Sequence, residues 1–165
     1  MPLNGTVMYE EQLGQIHRIL ARLRADANAK ATFLIDRNGQ QLAATGEEIE
    51  RLDATALASL TAGNVASTDA IAKLVGEREF SALVHEGDRE NLHISLVNER
   101  IIMLVLFDER SSLGLVRLRV RQATSDLVSI FEVIDKRHAE ETARGDGAAS
   151  LFAEITDEDI DSLFA

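Results

Sequence analysis

The sequence predicts an α/β sandwich fold: a five-stranded antiparallel sheet with helices on both faces, in the order helix, two strands, helix, three strands, helix. Helical spacing of apolar residues and short apolar segments separated by turn residues support this order. The 165 residues, 45% of them hydrophobic, suffice for one compact core. We therefore predict a domain at 8–137, a flexible linker at 138–150 and an acidic C-terminal segment at 151–165.

A helix and a hairpin are predicted at the start of the domain. The helix covers residues 9–27, because apolar residues recur there at steps of three and four along one stripe. Strands are predicted at 31–36 and 40–45, on either side of Asn38 and Gly39. Asn-Gly between two apolar runs is a strong hairpin signal.

The second helix is predicted from about Ala54 to Val75, with Asp53 as its N-cap and Gly76 as its stop. Apolar and small polar residues lie along one side of this helix: Leu57, Leu60, Asn64, Thr68 and Ile71. Three short apolar stretches follow and predict an antiparallel meander at 80–85, 92–97 and 101–107. Since 101–107 is continuously apolar, we expect it in the middle of the sheet, covered on both faces.

The last helix is predicted at 112–137. Its first part also alternates like a strand, but the helical spacing persists for over twenty residues and length favours the helix. Arg117, Arg119 and Arg121 interleave with its apolar residues. On a helix they spread around the axis, so we expect a solvated face here and not a phosphate site.

Composition argues against several classes of function. The chain has no cysteine, so it lacks disulfides and thiolate metal sites. It contains no phosphate-binding GxxxxGK[ST] loop, no GxSxG and no HExxH motif, and we expect no cofactor or metal. His85 and His93 lie on neighbouring predicted strands and are expected to face solvent.

The net charge of −11 argues against nucleic acid as a partner. With no signal peptide and no membrane-spanning run at the sequence level, we expect a cytoplasmic protein.

Small side chains repeat along the second helix. Ala58, Ala62, Ala66 and Ala70 recur every four residues, with Gly63 and Asn64 beside them. Such a ridge lets another backbone approach closely, either the chain's own sheet or a second protein. A glycine inside a helix costs about 1 kcal/mol relative to alanine, which close approach of another chain would offset. We therefore favour an interface over simple core packing or high-propensity filler.

The C-terminal segment EITDEDIDSLF carries a dense negative charge beside apolar residues. Thr156 and Asp159 resemble a capping box, and Ile160, Leu163 and Phe164 would share one face of a short helix. Plain disorder is the alternative. We favour a tethered amphipathic segment that folds when it docks on a partner.

The predicted element order resembles the Roadblock family, a relative of the longin and profilin-like group. Several stretches are similar to the MglB-type regulators of that family, over about residues 8–137: MYEEQLGQI, DANAK, FLIDRNGQ, LASLTAGNVAS, KLVGEREF, VHEG and FDERSSLGLVRLRV. The tail FAEITDEDIDSLF also resembles the acidic end of some of these proteins.

The resemblance implies a homodimeric GTPase-activating protein that acts on a GTP-bound bacterial Ras-like small GTPase of the MglA type, in cell polarity and gliding motility. Such a regulator supplies no catalytic residue, inserts no arginine finger and leaves the chemistry to the Arg and Gln of its partner. The resemblance also implies a cytoplasmic protein without a membrane partner, with a cell pole as one candidate location.

The same resemblance implies the residues that contact the GTPase. On the second helix these are Ala66 and Ala70, with Ala62 and Asn64 nearby; in the tail, which modulates nucleotide exchange in some relatives, they are Ile155, Ile160, Leu163 and Phe164. Two alternatives stay open. One is a non-catalytic Roadblock-type adapter or scaffold subunit, and the other is a profilin-like sensory domain that holds a small ligand.

Overall fold

The structure, a computed structural model, describes residues 7–47 and 49–153, and it describes side chains up to residue 145. Three helices, five strands and one short 3-10 turn follow one another in the order α1-β1-β2-turn-α2-β3-β4-β5-α3. The bounds are α1 Glu10–Asp26, β1 Ala31–Asp36, β2 Gln41–Gly46, the 3-10 turn Ile49–Arg51, α2 Ala54–Leu74, β3 Ala82–Glu86, β4 Asn91–Leu96, β5 Ile101–Phe107 and α3 Leu113–Ala153. The predicted element order is confirmed.

The five strands form one antiparallel sheet in the order β2-β1-β5-β4-β3. β5 is therefore central, as predicted, and six of its seven residues are buried. β2 and β3 are the two edges. A continuously apolar strand requires cover on both faces, and helices supply it.

The two faces of the sheet carry different helices. Phe33, Ile35, Ile102 and Leu104 pack against α2 in one buried cluster. Their neighbours along the strands point to the opposite face, where the Thr32 hydroxyl donates a hydrogen bond to the Leu20 carbonyl of α1 (3.2 Å). The first part of α3 also covers this second face, with four buried apolar residues: Val116, Val120, Ala123 and Leu127. The α/β sandwich with helices on both faces is confirmed.

The ends of α2 follow from local signals. The Asp53 carboxylate accepts a hydrogen bond from the Ala56 amide (3.0 Å), which confirms the predicted N-cap. After the helix, Gly76 has a φ of +82°, a conformation that glycine adopts without strain. The loop between β1 and β2 contacts the side of the helix, since Arg37 forms an ion pair with Asp69. Local signals thus set the ends of α2, while its buried residues pack it on the sheet.

The hairpin loop is longer than a two-residue turn. It spans the four residues between β1 and β2. The Asp36 carboxylate stabilises this loop by accepting hydrogen bonds from the amides of Asn38 and Gln40 (both 2.9 Å). Gly39 has a φ of +86°, and a Cβ there would lie 3.0 Å from the Ser59 Cα atom of α2. The glycine therefore meets two needs, a left-handed backbone and close approach to a helix.

The last helix is longer than predicted. α3 is described over Leu113–Ala153, so residues 138–150, predicted as a flexible linker, are helical. The single proline of the chain is Pro2, and isolated glycines such as Gly145 cost a helix only about 1 kcal/mol each. Polar, glycine-containing composition is thus a weak signal for a linker. A role for these residues in connecting the domain to 151–165 stays a prediction.

The chain divides into two compact units. Met1–Ile130 contains the sheet, α1, α2 and the first part of α3, and Phe131–Ala165 contains the remainder of α3. Within 7–47 and 49–153, none of the helices combines the length and apolar character needed to cross a bilayer.

Candidate protein-interaction surface on the second helix

α2 buries one side and exposes the other. Its buried residues are Ala58, Thr61, Ala62, Val65 and Ala72. At 3.6 residues per turn these positions fall on one side of the helix, which packs on the sheet. The opposite side of α2 lies at the surface of the single chain.

The ridge of small residues winds from the core to the surface. Ala58 and Ala62 are buried in the cluster beneath α2, whereas Ala66 and Ala70 are exposed. A step of four residues rotates a position by about 40° around the helix axis, so an i, i+4 series drifts from one face to another. The first half of the predicted ridge therefore packs on the chain's own sheet, and only the second half is available to another protein.

An exposed apolar stripe on α2 shares only Leu60 and Ile71 with the side of the helix predicted from the sequence. Leu60, Ile71 and Leu74 are 74%, 51% and 86% exposed. Gly63 and Ser67 lie between them on the same side, also exposed. The signal was present, because residues 60, 63, 67, 71 and 74 repeat at steps of three and four. A large apolar stripe without cover on a single chain is typical of an interaction surface.

The small side chains inside this stripe are not required by the chain's own packing. A Cβ atom at Gly63 would have no heavy atom within 4 Å. The expected cost of a helical glycine is thus not offset by any contact within the chain itself. Contact with a second chain remains the explanation that we favour.

Asn64 lies at the border between the buried and exposed sides of α2 and is half-buried. Its backbone carbonyl accepts a hydrogen bond from the Thr68 hydroxyl (2.8 Å). Its side-chain Oδ1 is buried and has no hydrogen-bond partner among the described residues. The acceptor of the Asn64 amide therefore lacks a partner at the border of the exposed side.

β3 provides a second unpaired surface. This strand lies at one edge of the sheet and pairs with β4 only. Its outer edge presents backbone amides and carbonyls that can pair with another strand.

Arg110, the arginine of the loop before α3, is held in place. Its Nε donates to both oxygens of Asp108 (3.0 and 3.2 Å), and its terminal nitrogens reach the two oxygens of Glu47 (3.3 and 3.4 Å). Glu47 also accepts from Arg24 (3.1 Å). The hydrogen bonds and charge of Arg110 lower the pKa of Glu47, and its hydrogen bonds lower the pKa of Asp108. The same contacts raise the pKa of Arg110. A guanidinium engaged on both sides is poorly suited to be a mobile catalytic arginine.

Two expectations about other polar residues were wrong in part. His85 is exposed as predicted, but His93 is buried, and its pairing with Val84 places it on the other face of the sheet from His85. Arg117 and Arg121 are exposed, as expected for a solvated face, but they are four residues apart, so they share a helix face and line one groove. No cluster of three potential metal ligands occurs in the part of the chain that the structure describes.

The predicted contact residues are thus divided. Asn64, Ala66 and Ala70 lie at or near the exposed side of α2, while Ala62 faces the core. The remaining predicted contacts, Ile155, Ile160, Leu163 and Phe164, lie outside the described residues. Their roles in binding stay predictions.

Comparison with known proteins identifies the family. The family model of the Roadblock/LC7 domain matches residues 16–107, more than half of the 165 residues. The structure of MglB from Myxococcus xanthus is 48% identical in sequence and has a TM-score of 0.73, over 78% of this chain and 96% of that chain. No curated protein sequence matches the chain.

Two further MglB structures are similar. One, an MglB with a tetrameric arrangement, is 32% identical, with a TM-score of 0.74 over 79% of this chain and 97% of that chain. The other, the gliding protein MglB from Thermus thermophilus, is 33% identical, with a TM-score of 0.73 over 78% of this chain and 96% of that chain. The resemblance and the Roadblock/longin-like fold expected from it are confirmed, and the chain belongs to the Roadblock/LC7 family, within which it is similar to the MglB proteins.

Proposed function

We propose that this chain is a GTPase-activating protein that acts, as a homodimer, on a GTP-bound bacterial Ras-like small GTPase of the MglA type, in cell polarity and gliding motility. Similarity to MglB proteins of up to 48% identity supports the regulator class. The observation that carries the proposal is the outer side of α2, where the stripe of Leu60, Gly63, Ser67, Ile71 and Leu74 lies beside the small side chains of Ala66 and Ala70.

In this proposal the stripe pairs with the same stripe of a second copy. From Leu60 to Leu74 it extends about 21 Å at 1.5 Å per residue, long enough for two helices to cross. The large side chains lie at its ends and the small ones between them, which permits close approach near the middle. The free edge of β3 would extend the sheet across the same two-fold axis.

The GTPase would contact an adjacent strip of the same helix. Ala66 and Ala70 are each rotated by about 60° from Gly63 and Ser67, respectively. Pairing of the stripes would therefore leave Ala66 accessible, whereas Ala70, about 20° from Gly63 around the axis, would lie at the edge of the paired stripe. Their short side chains allow a partner loop to approach the helix backbone. Asn64 is rotated by about 160° from Ala66, on the other border of the stripe, so its unmatched Oδ1 would serve a separate contact.

The chain would act by arranging the partner and not by supplying a reactive group. GTP hydrolysis needs a positioned water and positive charge near the γ-phosphate, and stabilising these in a Ras-like enzyme accelerates the reaction by up to about 10⁵-fold. Arg110 is engaged by Asp108 and Glu47, which supports a mechanism without an arginine finger from this chain. The Arg and Gln of the GTPase would complete the site.

The C-terminal segment would act as a tethered second contact. In the proposal Ile155, Ile160, Leu163 and Phe164 dock on the same GTPase and modulate nucleotide exchange. Attachment to the domain keeps such a segment at high effective concentration near the first contact.

The experiment is a phosphate-release assay with a cognate MglA-type GTPase loaded with GTP. Ala66→Arg and Ala70→Arg should each keep the circular dichroism spectrum and remove the stimulation of hydrolysis, because a long cation blocks close approach. Ala21→Arg is the matched control, since Ala21 is an exposed alanine of α1, on the other face of the sheet.

Full stimulation by Ala66→Arg and Ala70→Arg would contradict the proposed surface. Absence of stimulation by the unmodified chain, with binding retained, would instead identify an adapter.

A further inference from the structure

A groove with a volume of about 490 Å³ lies between β4 and the first part of α3. It opens on the sheet face opposite to α2, so it is separate from the exposed stripe of that helix, and its rim includes Ser81 and Ala82 at the start of β3. Its polar lining residues are Ser81, His93, Ser95, Arg117, Arg121 and Thr124. Sites for small molecules typically have volumes of about 300–1,000 Å³, so this groove has a suitable size.

Two buried polar side chains of β4 contribute to the lining. His93 and Ser95 are 3% and 8% exposed, and as alternate residues of a strand they point to the same face. The Nδ1 atom of His93 and the Oγ atom of Ser95 have no hydrogen-bond partner among the described residues. Buried polar groups are almost always paired with protein, water or ligand, so two neighbouring unpaired groups at a groove indicate a missing partner.

The wall of the groove carries two unpaired cations. Arg117 and Arg121 stand one helical turn apart, and neither forms an ion pair within the part of the chain that the structure describes. Other arginines of this chain do have carboxylate partners, for example Arg37 and Arg110. None of the described residues that line the groove is an aspartate or glutamate. The groove therefore carries positive charge in a chain with a net charge of −11.

We propose that this groove binds a small phosphorylated molecule of up to mononucleotide size, whose phosphate lies between Arg117 and Arg121 with the Ser95 hydroxyl beneath it. A phosphate dianion matches the charge of two guanidinium groups, and its oxygens match their planar donors. A single carboxylate would balance the charge of only one guanidinium group. The volume exceeds that of a bare phosphate, and the apolar side chains of Leu96 and Val120 provide contacts for the rest of the ligand.

The protonation state of His93 agrees with this arrangement. Burial, and secondly the positive charge of Arg117, lower the pKa of His93 below its ordinary value of 6.5. The imidazole is therefore neutral at pH 7 and has one donor and one acceptor nitrogen. It adds a hydrogen bond to the site, while the arginines supply the charge.

The test uses the full chain with two phosphorylated probes, inorganic pyrophosphate and AMP, and with a hexapeptide of glutamate as an acidic-peptide probe. Calorimetric titration at about 0.1 M salt should give saturable one-to-one binding of at least one phosphorylated probe. Arg117→Ala/Arg121→Ala should weaken it about tenfold or more. Arg119→Ala is the matched control, because it removes a neighbouring arginine of α3 that does not line the groove, and it should leave affinity within about twofold.

A second measurement is independent of the variants. Two-dimensional NMR of the unmodified chain should place the largest shift changes on the His93 imidazole and the backbone of Ser95. The proposal is overturned if neither phosphorylated probe binds, if Arg119→Ala weakens binding as much as the double variant, or if the shift changes lie elsewhere. Tighter binding of the glutamate peptide at this groove would also overturn it and would indicate a protein-docking site.

Discussion

Gly63 is the position where the proposed dimer can be tested most sharply. It lies in the exposed stripe of α2 between Leu60 and Ser67, and a Cβ atom there would have no heavy atom within 4 Å in the single chain. Leucine at this position should therefore be accepted by the fold. It should also favour the helix by about 1 kcal/mol, since glycine is a poor helix former.

The effect on self-association has a definite sign. If two copies of α2 cross closely at Gly63, each leucine overpacks the contact at a cost of about 1–3 kcal/mol, and the two-fold axis doubles it. The dimer dissociation constant should then rise by roughly 30-fold to 10⁴-fold. If the stripe does not meet a second copy closely, the added leucine joins Leu60 and Ile71 in a larger apolar surface. Self-association would then stay the same or tighten.

The assay is sedimentation equilibrium over a concentration series, with circular dichroism to verify the fold. Gly14→Leu is the matched control, because Gly14 is also a helical glycine whose Cβ would meet nothing within 4 Å, but it lies on α1. We expect Gly63→Leu to be the weaker dimer and Gly14→Leu to match the unmodified chain. A dissociation constant for Gly63→Leu that is unchanged or smaller would refute the reasoning.

Three further outcomes are expected. Arg110→Ala should keep most of the GTPase stimulation, because Arg110 is bound to Glu47 and not free. Loss of several orders of magnitude of stimulation in a phosphate-release assay would instead indicate that Arg110 acts as an arginine finger. The pKa of His93 is lowered from 6.5, so on acidification the unfolded chain binds a proton at this residue more readily than the folded chain does. The free energy of unfolding should therefore fall as the pH drops below about 6.5. His93→Gln should flatten this dependence in urea titrations, and an unchanged slope would contradict it. Leu163→Ala/Phe164→Ala should weaken binding to the GTPase or slow nucleotide exchange, and unchanged affinity and exchange kinetics would remove the proposed role of the tail.

The fold was predictable because its signals are local. Asp53 and Gly76 mark the ends of α2 by hydrogen bonding and backbone conformation, and both act within a few residues of themselves. The continuous apolar run of β5 required cover on both faces, which is a property of the strand alone. Neither inference needed knowledge of distant contacts.

The surfaces of α2 were harder to assign, because this helix has apolar or small residues on more than one side. Ala62 and Leu60 are both compatible with a core position in the sequence, and only the placement of α2 across the sheet decides that Ala62 is buried and Leu60 exposed. Arg37 and Asp69 take part in that placement, and they are far apart in the sequence. The spacing of residues within α2 does not contain such long-range contacts, so it cannot decide which side of the helix faces the sheet.

The groove was missed for a related reason. The direction of His93 depends on its register with Val84 and Val105, and a shift of one residue would move its side chain to the other face. The proximity of Arg117 to this strand depends in turn on how α3 lies on the sheet. The i, i+4 spacing of Arg117 and Arg121 is a local signal for a shared helix face, but treating Arg117, Arg119 and Arg121 as one set obscured it.

The exposed leucines of α2 also bear on the tendency of the single chain to aggregate. A lone chain exposes Leu60 and Leu74 to water and also has the free edge of β3, and both features favour aggregation. The net charge of −11 opposes this through mutual repulsion between copies. This repulsion protects the chain against aggregation. It is strongest at low salt concentration and weakest as the pH approaches the isoelectric point of about 4.8.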